Sequence, residues 1–244
     1  MILGALGPTS LGIYSVTAII CQGLFYLPNA LSTVMYPRFQ ERYGETQSAA
    51  SLRKFVELPL HLLADGLLAA VAVLFVALPP AIVTLLTPQY ASTVTPLKIM
   101  LVGTYFLCLA PPAGQFLLTI HKQMLGLAIS LPVMAIGLAA AYAGASRGLA
   151  GVAVGVSAAF VLEFIAVNVA AFSHLTDGWR TAKRLLDIVI VAAIVILAVV
   201  GIEWLVPLGP WPISIVGGFR TLAAGVVALP LLFRARRRIS RTAV

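Results

Sequence analysis

The sequence predicts an all-α protein, a polytopic bundle of about seven transmembrane helices, and three observations carry that expectation. Hydrophobic residues fill 61% of the 244 positions and charged ones only 10%, with a mean hydropathy of +1.03, which is more apolar surface than a soluble domain buries. Residues 66–97, 99–120 and 123–146 contain no Asp, Glu, Lys or Arg, and each run reaches the roughly 20 residues that a hydrocarbon core of about 30 Å requires at 1.5 Å per residue. None alternates polar with apolar side chains as a barrel strand does, so backbone groups deprived of water must pair within helices.

Turn and charge punctuation then divides the chain. A first segment at about 11–36 is followed by a charged connection, 38–54. The second, about 58–86, stops at Thr87-Pro88-Gln89-Tyr90, and the third, about 96–118, at His121-Lys122. Ser146-Arg147-Gly148 separates the fourth (124–145) from the fifth (149–172). Residues 174–184 precede the sixth (185–206), and Pro207-Leu208-Gly209-Pro210 precedes the seventh (212–233). No connection is long enough for a soluble domain, so residues 1–244 read as one transmembrane unit. The first 37 residues carry no charged side chain, unlike a secretory signal with its basic start. Met1 to Leu6 reads like the tail of an earlier apolar helix, as in a fragment of a larger protein.

Alternate connections hold the positive charge: Arg38, Arg42, Arg53 and Lys54; Arg180, Lys183 and Arg184; and the tail Arg234, Arg236, Arg237, Arg238 and Arg241. The positive-inside rule places these in the cytoplasm, with the N-terminus outside. The formal net charge of +8 is thereby assigned to topology and to anionic membrane lipid at the basic loops and tail, not to nucleic acid. Cys21 and Cys108 lie in separate apolar segments with no metal-ligand spacing, and His61, His121 and His174 stand apart. Neither a metal site nor a cofactor is expected.

Leu11-Gly12-Ile13-Tyr14-Ser15-Val16, Leu27-Pro28-Asn29-Ala30-Leu31-Ser32 and Tyr36-Pro37-Arg38-Phe39 resemble the opening helix pair of the second lobe in polysaccharide and O-antigen flippases of the multidrug/oligosaccharidyl-lipid/polysaccharide exporter superfamily. Leu85-Leu86-Thr87-Pro88-Gln89-Tyr90 with Pro96-Leu97-Lys98-Ile99-Met100 is similar to that family's outer loop and next helix, although Thr87 stands where the family often has glycine. Arg147-Gly148-Leu149-Ala150-Gly151-Val152-Ala153 resembles a Gly-rich helix start. The similarity covers most of residues 1–175. It implies the second lobe of a two-lobed flippase, moving a polyprenyl-diphosphate-linked oligosaccharide across a bacterial inner membrane. The partner is then a separate N-terminal lobe or a second copy, because alternating access needs two bundles. No covalent chemistry is implied.

Several residues are candidates for a polar cavity, each with a structural alternative. Glu163, beyond the middle of its segment, costs about 2.5–3.5 kcal/mol to insert and so faces water or another helix. Asn29 follows Pro28, whose ring frees a carbonyl one turn earlier; the amide either repairs that kink or reaches a glycan. Lys98 either attracts diphosphate or snorkels to headgroups. Arg38 either receives diphosphate or anchors the interface. Gln115 bonds sugar or a helix. Arg53, Glu57, His61 and Asp65 recur every four residues down one helix face, either as a gate in which His61 and Asp65 act or as a wetted helix start. Glu203 and Arg220 read as interfacial anchors.

Rival functions are a drug exporter of the same superfamily and a membrane glycosyltransferase or glycan ligase. The eight acids are scattered, whereas such enzymes gather carboxylates or a metal in a sizeable loop. An enzyme is therefore not expected. A retinal protein needs a lysine in the last helix, which offers only Arg220.

Overall fold

In the computed structural model, residues 2–85, 88–175, 178–205 and 213–242 are described, and they form helices without strands. The helices are α1 (Ile2–Thr46), α2 (Arg53–Leu85), α3 (Val94–Leu107), α4 (Pro111–Thr119), α5 (Gln123–Gly144), α6 (Gly148–Ser173), α7 (Gly178–Leu205) and α8 (Ile213–Thr242). Among the described residues, six stretches are long and apolar enough to cross a membrane. The protein is a multi-pass, all-α membrane bundle.

The six stretches differ from the expected seven segments at Gln123–Ser173, which contains both α5 and α6. These helices are joined by a short 3-10 turn, Ala145–Arg147, and Gly148 (φ 74°) leaves it in a conformation that favours glycine. The two arms fold back antiparallel along a seam of small residues. A Cβ on Gly155 would lie 2.5 Å from the Ala141 nitrogen, one on Gly151 2.0 Å from the Gly144 oxygen, and one on Gly137 2.6 Å from the Ala159 Cβ. Such close approach is how helices pack where lipid competes equally well for every apolar side chain.

Three boundaries depart from expectation. The connection 38–54 is largely helical, because α1 continues to Thr46 with Gln40 bonded to Tyr36 and Arg42 paired with Glu45 along its surface. Residues 180–184 likewise belong to α7. The third segment is two helices, interrupted at Cys108–Ala110, with Pro111 and Pro112 opening α4 where missing N–H groups cost nothing. Near the start, α1 breaks at Gly7 (φ 82°, ψ 172°) before Pro8. The expected breaks at Thr87 and at Pro207–Pro210, and the tail residue Arg241, lie outside the residues whose surroundings are described.

The α3–α4 stretch is the centre: 67% of its apolar window is buried, against 11% for α1. Tyr105, Phe116, Leu97, Leu101 and Leu109 are fully enclosed there. Asn168 of α6, wholly buried, donates to the Leu109 and Phe164 carbonyls at 3.3 and 2.9 Å, which ties α6 to the interruption before α4. Ser157 bonds the Ile99 carbonyl at 3.0 Å where α3 and α6 meet.

Side-chain contacts define two poles. Glu57 and Arg184, near the starts of α2 and α7, meet at one, as do Asp65 of α2 and Arg238 of α8, while Tyr43 of α1 stands edge-on to His121. At the other, Lys98 at the start of α3 meets Glu203 near the end of α7, and Tyr14 of α1 packs beside Ala141 and Ala145 at the end of α5. Successive passes therefore alternate in direction, with α3 and α4 counting as one.

Cys21 and Cys108 are buried free thiols. In the folded protein both are expected to react with a hydrophilic maleimide far more slowly than after denaturation in SDS, as mass spectrometry of the labelled chain would register; equal rates would contradict the packing of α1 on α3.

Candidate functional site

The exposed faces of the helices differ in kind. Those of α5, α7 and α8 carry Met134 and Leu138, Ile194 and Leu197, and Leu222 and Val226, the side chains a lipid-facing surface requires. On α1, Ser15, Gln22, Asn29 and Tyr36 are exposed at intervals of seven, with Ile19, Tyr26 and Thr33 exposed between them and Leu11, Leu27 and Val34 exposed beside them. Seven residues are nearly two helical turns, so these positions share one face. The Tyr36 hydroxyl accepts a bond from the Gln40 amide at 2.9 Å, extending the polar stripe toward the basic pole. Arg38 is exposed on the same helix.

Asn29 sits on this open face. The kink-repair role falls to another residue: Pro28 has no N–H for the Leu24 carbonyl, and the Cys108 thiol approaches that oxygen at 3.8 Å from the α3–α4 interruption. Asn29's own carbonyl accepts the Thr33 hydroxyl at 2.9 Å.

Gln115 and Glu163 come together in a cavity of about 520 Å³ between α4, α5, α6 and Phe25 of α1. Gln123 and Ser130 supply its other polar lining, and the Ser130 hydroxyl donates to a Glu163 carboxylate oxygen at 2.5 Å. An apolar groove of about 330 Å³ continues along α5 and α6 from the same pair.

Lys98 is engaged within the bundle. Its ammonium lies 2.6 and 2.7 Å from the two Glu203 carboxylate oxygens and 5.2 Å from the Phe75 ring centroid. Arg220 is buried and donates to the Glu203 carbonyl at 3.1 Å. Glu203 and Arg220 thus join an interhelical cluster at the pole where they were read as interfacial anchors.

The helix face bearing Arg53, Glu57, His61 and Asp65 is packed, not wetted, at its inner end. Glu57 takes Arg53 at 2.5 Å and also Arg184. Asp65 is buried, with Arg238 at 3.3 Å and Arg234 at 4.0 Å, and Arg234 also reaches Asp187 at 2.7 Å. His61 lines a small void with Asp65, Tyr105 and Arg238. The cluster ties α2, α7 and α8 at one pole.

Sequence reasoning missed the α1 stripe, although the seven-residue spacing of Ser15, Gln22, Asn29 and Tyr36 was there to count. It also missed Asn168 and Ser130, whose significance comes only from distant partners. Among the described residues, no three His, Cys, Asp or Glu side chains gather as metal ligands. No protein-family model, curated protein or solved structure matches the chain.

Proposed function

We propose that this chain is one lobe of a flippase that carries a polyprenyl-diphosphate-linked oligosaccharide across a bacterial inner membrane, with the α1 polar face as its side of the passage. One observation carries the reading: a membrane-length helix exposes the Gln22 and Asn29 amides, which no other described helix bonds, in line with Ser15, Thr33 and Tyr36, whose hydroxyls bond within α1 itself. Hydrocarbon is a poor neighbour for such groups, each costing several kcal/mol without a partner. A water-filled passage or an apposed second bundle removes that cost.

The physics of the task suits the surface. A glycan loses hydration on entering lipid, whereas Gln22, Asn29 and Thr33 offer replacement hydrogen bonds while the polyprenyl tail stays in the bilayer. Arg38, exposed toward the basic pole, is positioned to meet diphosphate, and Lys98, held by Glu203, is not. The arginine-rich pole lies in the cytoplasm under the positive-inside rule, with the N-terminus outside. The second wall comes from a separate N-terminal lobe or another copy of the chain, since one bundle has nothing to rock against. No bond is made or broken.

Deleting the gene is expected to accumulate lipid-linked oligosaccharide on the cytoplasmic leaflet. The wild-type chain clears that pool, and the variant Gln22→Leu/Asn29→Leu/Thr33→Leu, expressed at the same level, does not. An unchanged pool in the deletion strain would refute the substrate assignment, and full clearance by the triple variant would refute the route.

A further inference from the structure

We propose that the Ser130–Glu163 junction binds the head of a long-chain ammonium amphiphile, whose chain lies in the α5–α6 groove. The geometry of α4, α5 and α6 carries this, independently of the transport reading.

Glu163 differs from the other acids in the packed parts of the helices. Glu57 is paired with Arg184, Asp65 with Arg238, Asp187 with Arg234 and Glu203 with Lys98. Glu163 receives only the Ser130 hydroxyl, at one carboxylate oxygen, and no cationic side chain pairs with it among the described residues. An acid at membrane depth is costly without a counter-charge or donors. The second oxygen and the net charge therefore call for a positive donor from outside the bundle, and they repel a phosphate.

The surroundings specify the rest of that ligand. On one side the cavity of about 520 Å³ is lined by Gln115 and Gln123 as well as the acid, a volume in the range of small-molecule sites and with the few convergent polar groups they use. Gln123 and Leu118 are exposed, so the cavity reaches the surface there. On the other side the groove of about 330 Å³ is walled by Met134, Leu138, Val156 and Phe160. Leu107, Ser130 and Glu163 line both spaces, which makes the carboxylate the boundary between a polar head and an apolar tail. The groove follows α5 from Ser130 to Ala141, about 16 Å at 1.5 Å per residue, close to the reach of an extended dodecyl chain. Met134 and Leu138 are exposed to the lipid side, so a bilayer amphiphile enters laterally, and methionine adapts to its shape.

The ammonium has two sources, a phosphatidylethanolamine headgroup or a diffusible amphiphilic cation. The test is equilibrium binding of labelled dodecylammonium to the full chain in phosphatidylglycerol nanodiscs, after subtraction of empty discs. One saturable site is expected. Glu163→Gln, which keeps size and hydrogen bonding but removes charge, weakens it at least about tenfold, the scale of a charge-assisted contact. Gly126 lines the cavity, and a Cβ there meets nothing within 4 Å, so Gly126→Leu takes up cavity space with no clash at Cβ and also abolishes binding. Dodecyl sulfate, with the same chain and opposite charge, does not compete. Weaker binding in phosphatidylethanolamine discs supports the lipid as occupant; undiminished binding there supports a diffusible cation. Equal affinity in wild type and Glu163→Gln, or in wild type and Gly126→Leu, would overturn the site, as would competition by dodecyl sulfate.

Discussion

Substituting leucine for both Gly151 and Gly155 is expected to force α5 from α6 and destabilise the bundle by about 3 kcal/mol, the upper range for overpacking a tight interface. The added Cβ atoms would lie 2.0 Å from the Gly144 oxygen and 2.5 Å from the Ala141 nitrogen. Both obstacles are backbone, so no rotamer change relieves them. Gly201→Ala is the control, because a Cβ there meets nothing within 4 Å and alanine favours the helix by up to about 1 kcal/mol. Unfolding in detergent, followed by circular dichroism, should rank the glycine double variant far below wild type and Gly201→Ala at or above it. The Ser130–Glu163 bond spans this hairpin, so it too should be lost when the seam opens.

Asp65→Leu is expected to cost about 3 kcal/mol, because it removes the buried carboxylate that Arg238 and Arg234 share, Arg234 keeping Asp187. The magnitude follows from taking away one partner of a buried cluster, not from the net strength of the pair. Adding Arg238→Leu should therefore restore part of the loss, which a double-mutant cycle measures directly. The Arg42–Glu45 pair has side chains 49% and 59% exposed, and Arg42→Ala should change stability by no more than about 0.5 kcal/mol. If Asp65→Leu were equally mild, the cluster would not be what joins α2, α7 and α8.

Helix class and most segment positions were legible because hydrocarbon imposes a length and forbids charge, and both are visible residue by residue. The interruption at Cys108–Ala110 was not, since a run of 22 uncharged residues satisfies the length rule whether or not Pro111-Pro112 splits it. The extension of α1 through Arg38, Arg42 and Glu45 was hidden for the opposite reason: charge ends a membrane span but does not end a helix. Glu163 was picked from insertion cost and Gln115 as a hydrogen-bonding side chain deep in its segment, and the fold places both in one cavity. Lys98 was picked as a cation at the start of its helix, and its fate rests on Glu203, 105 positions away, which no local pattern reveals. Of the two roles read for Asn29, repair of the Pro28 kink or contact with a glycan, the first meets Cys108, which approaches the freed carbonyl. Pairings of that kind belong to the packing of α1 on α3 and become visible only when both helices are placed.

The α1 face is the point on which the functional reading turns. Its polar groups were overlooked because the surrounding apolar residues dominate any average over the segment, while their seven-residue spacing marks a narrow stripe. The deciding measurement places single cysteines, spin-labelled one at a time, at Gln22, Asn29, Met134 and Ile194, and compares collision with oxygen against collision with a water-soluble nickel chelate in native-like bilayers. The native thiols are buried and should stay silent. Accessibility to the nickel chelate at Gln22 and Asn29, with oxygen dominating at Met134 and Ile194, is the result that the proposed passage along α1 predicts. Oxygen dominating at all four positions would mean that α1 faces lipid like the rest, and the passage along it would be contradicted.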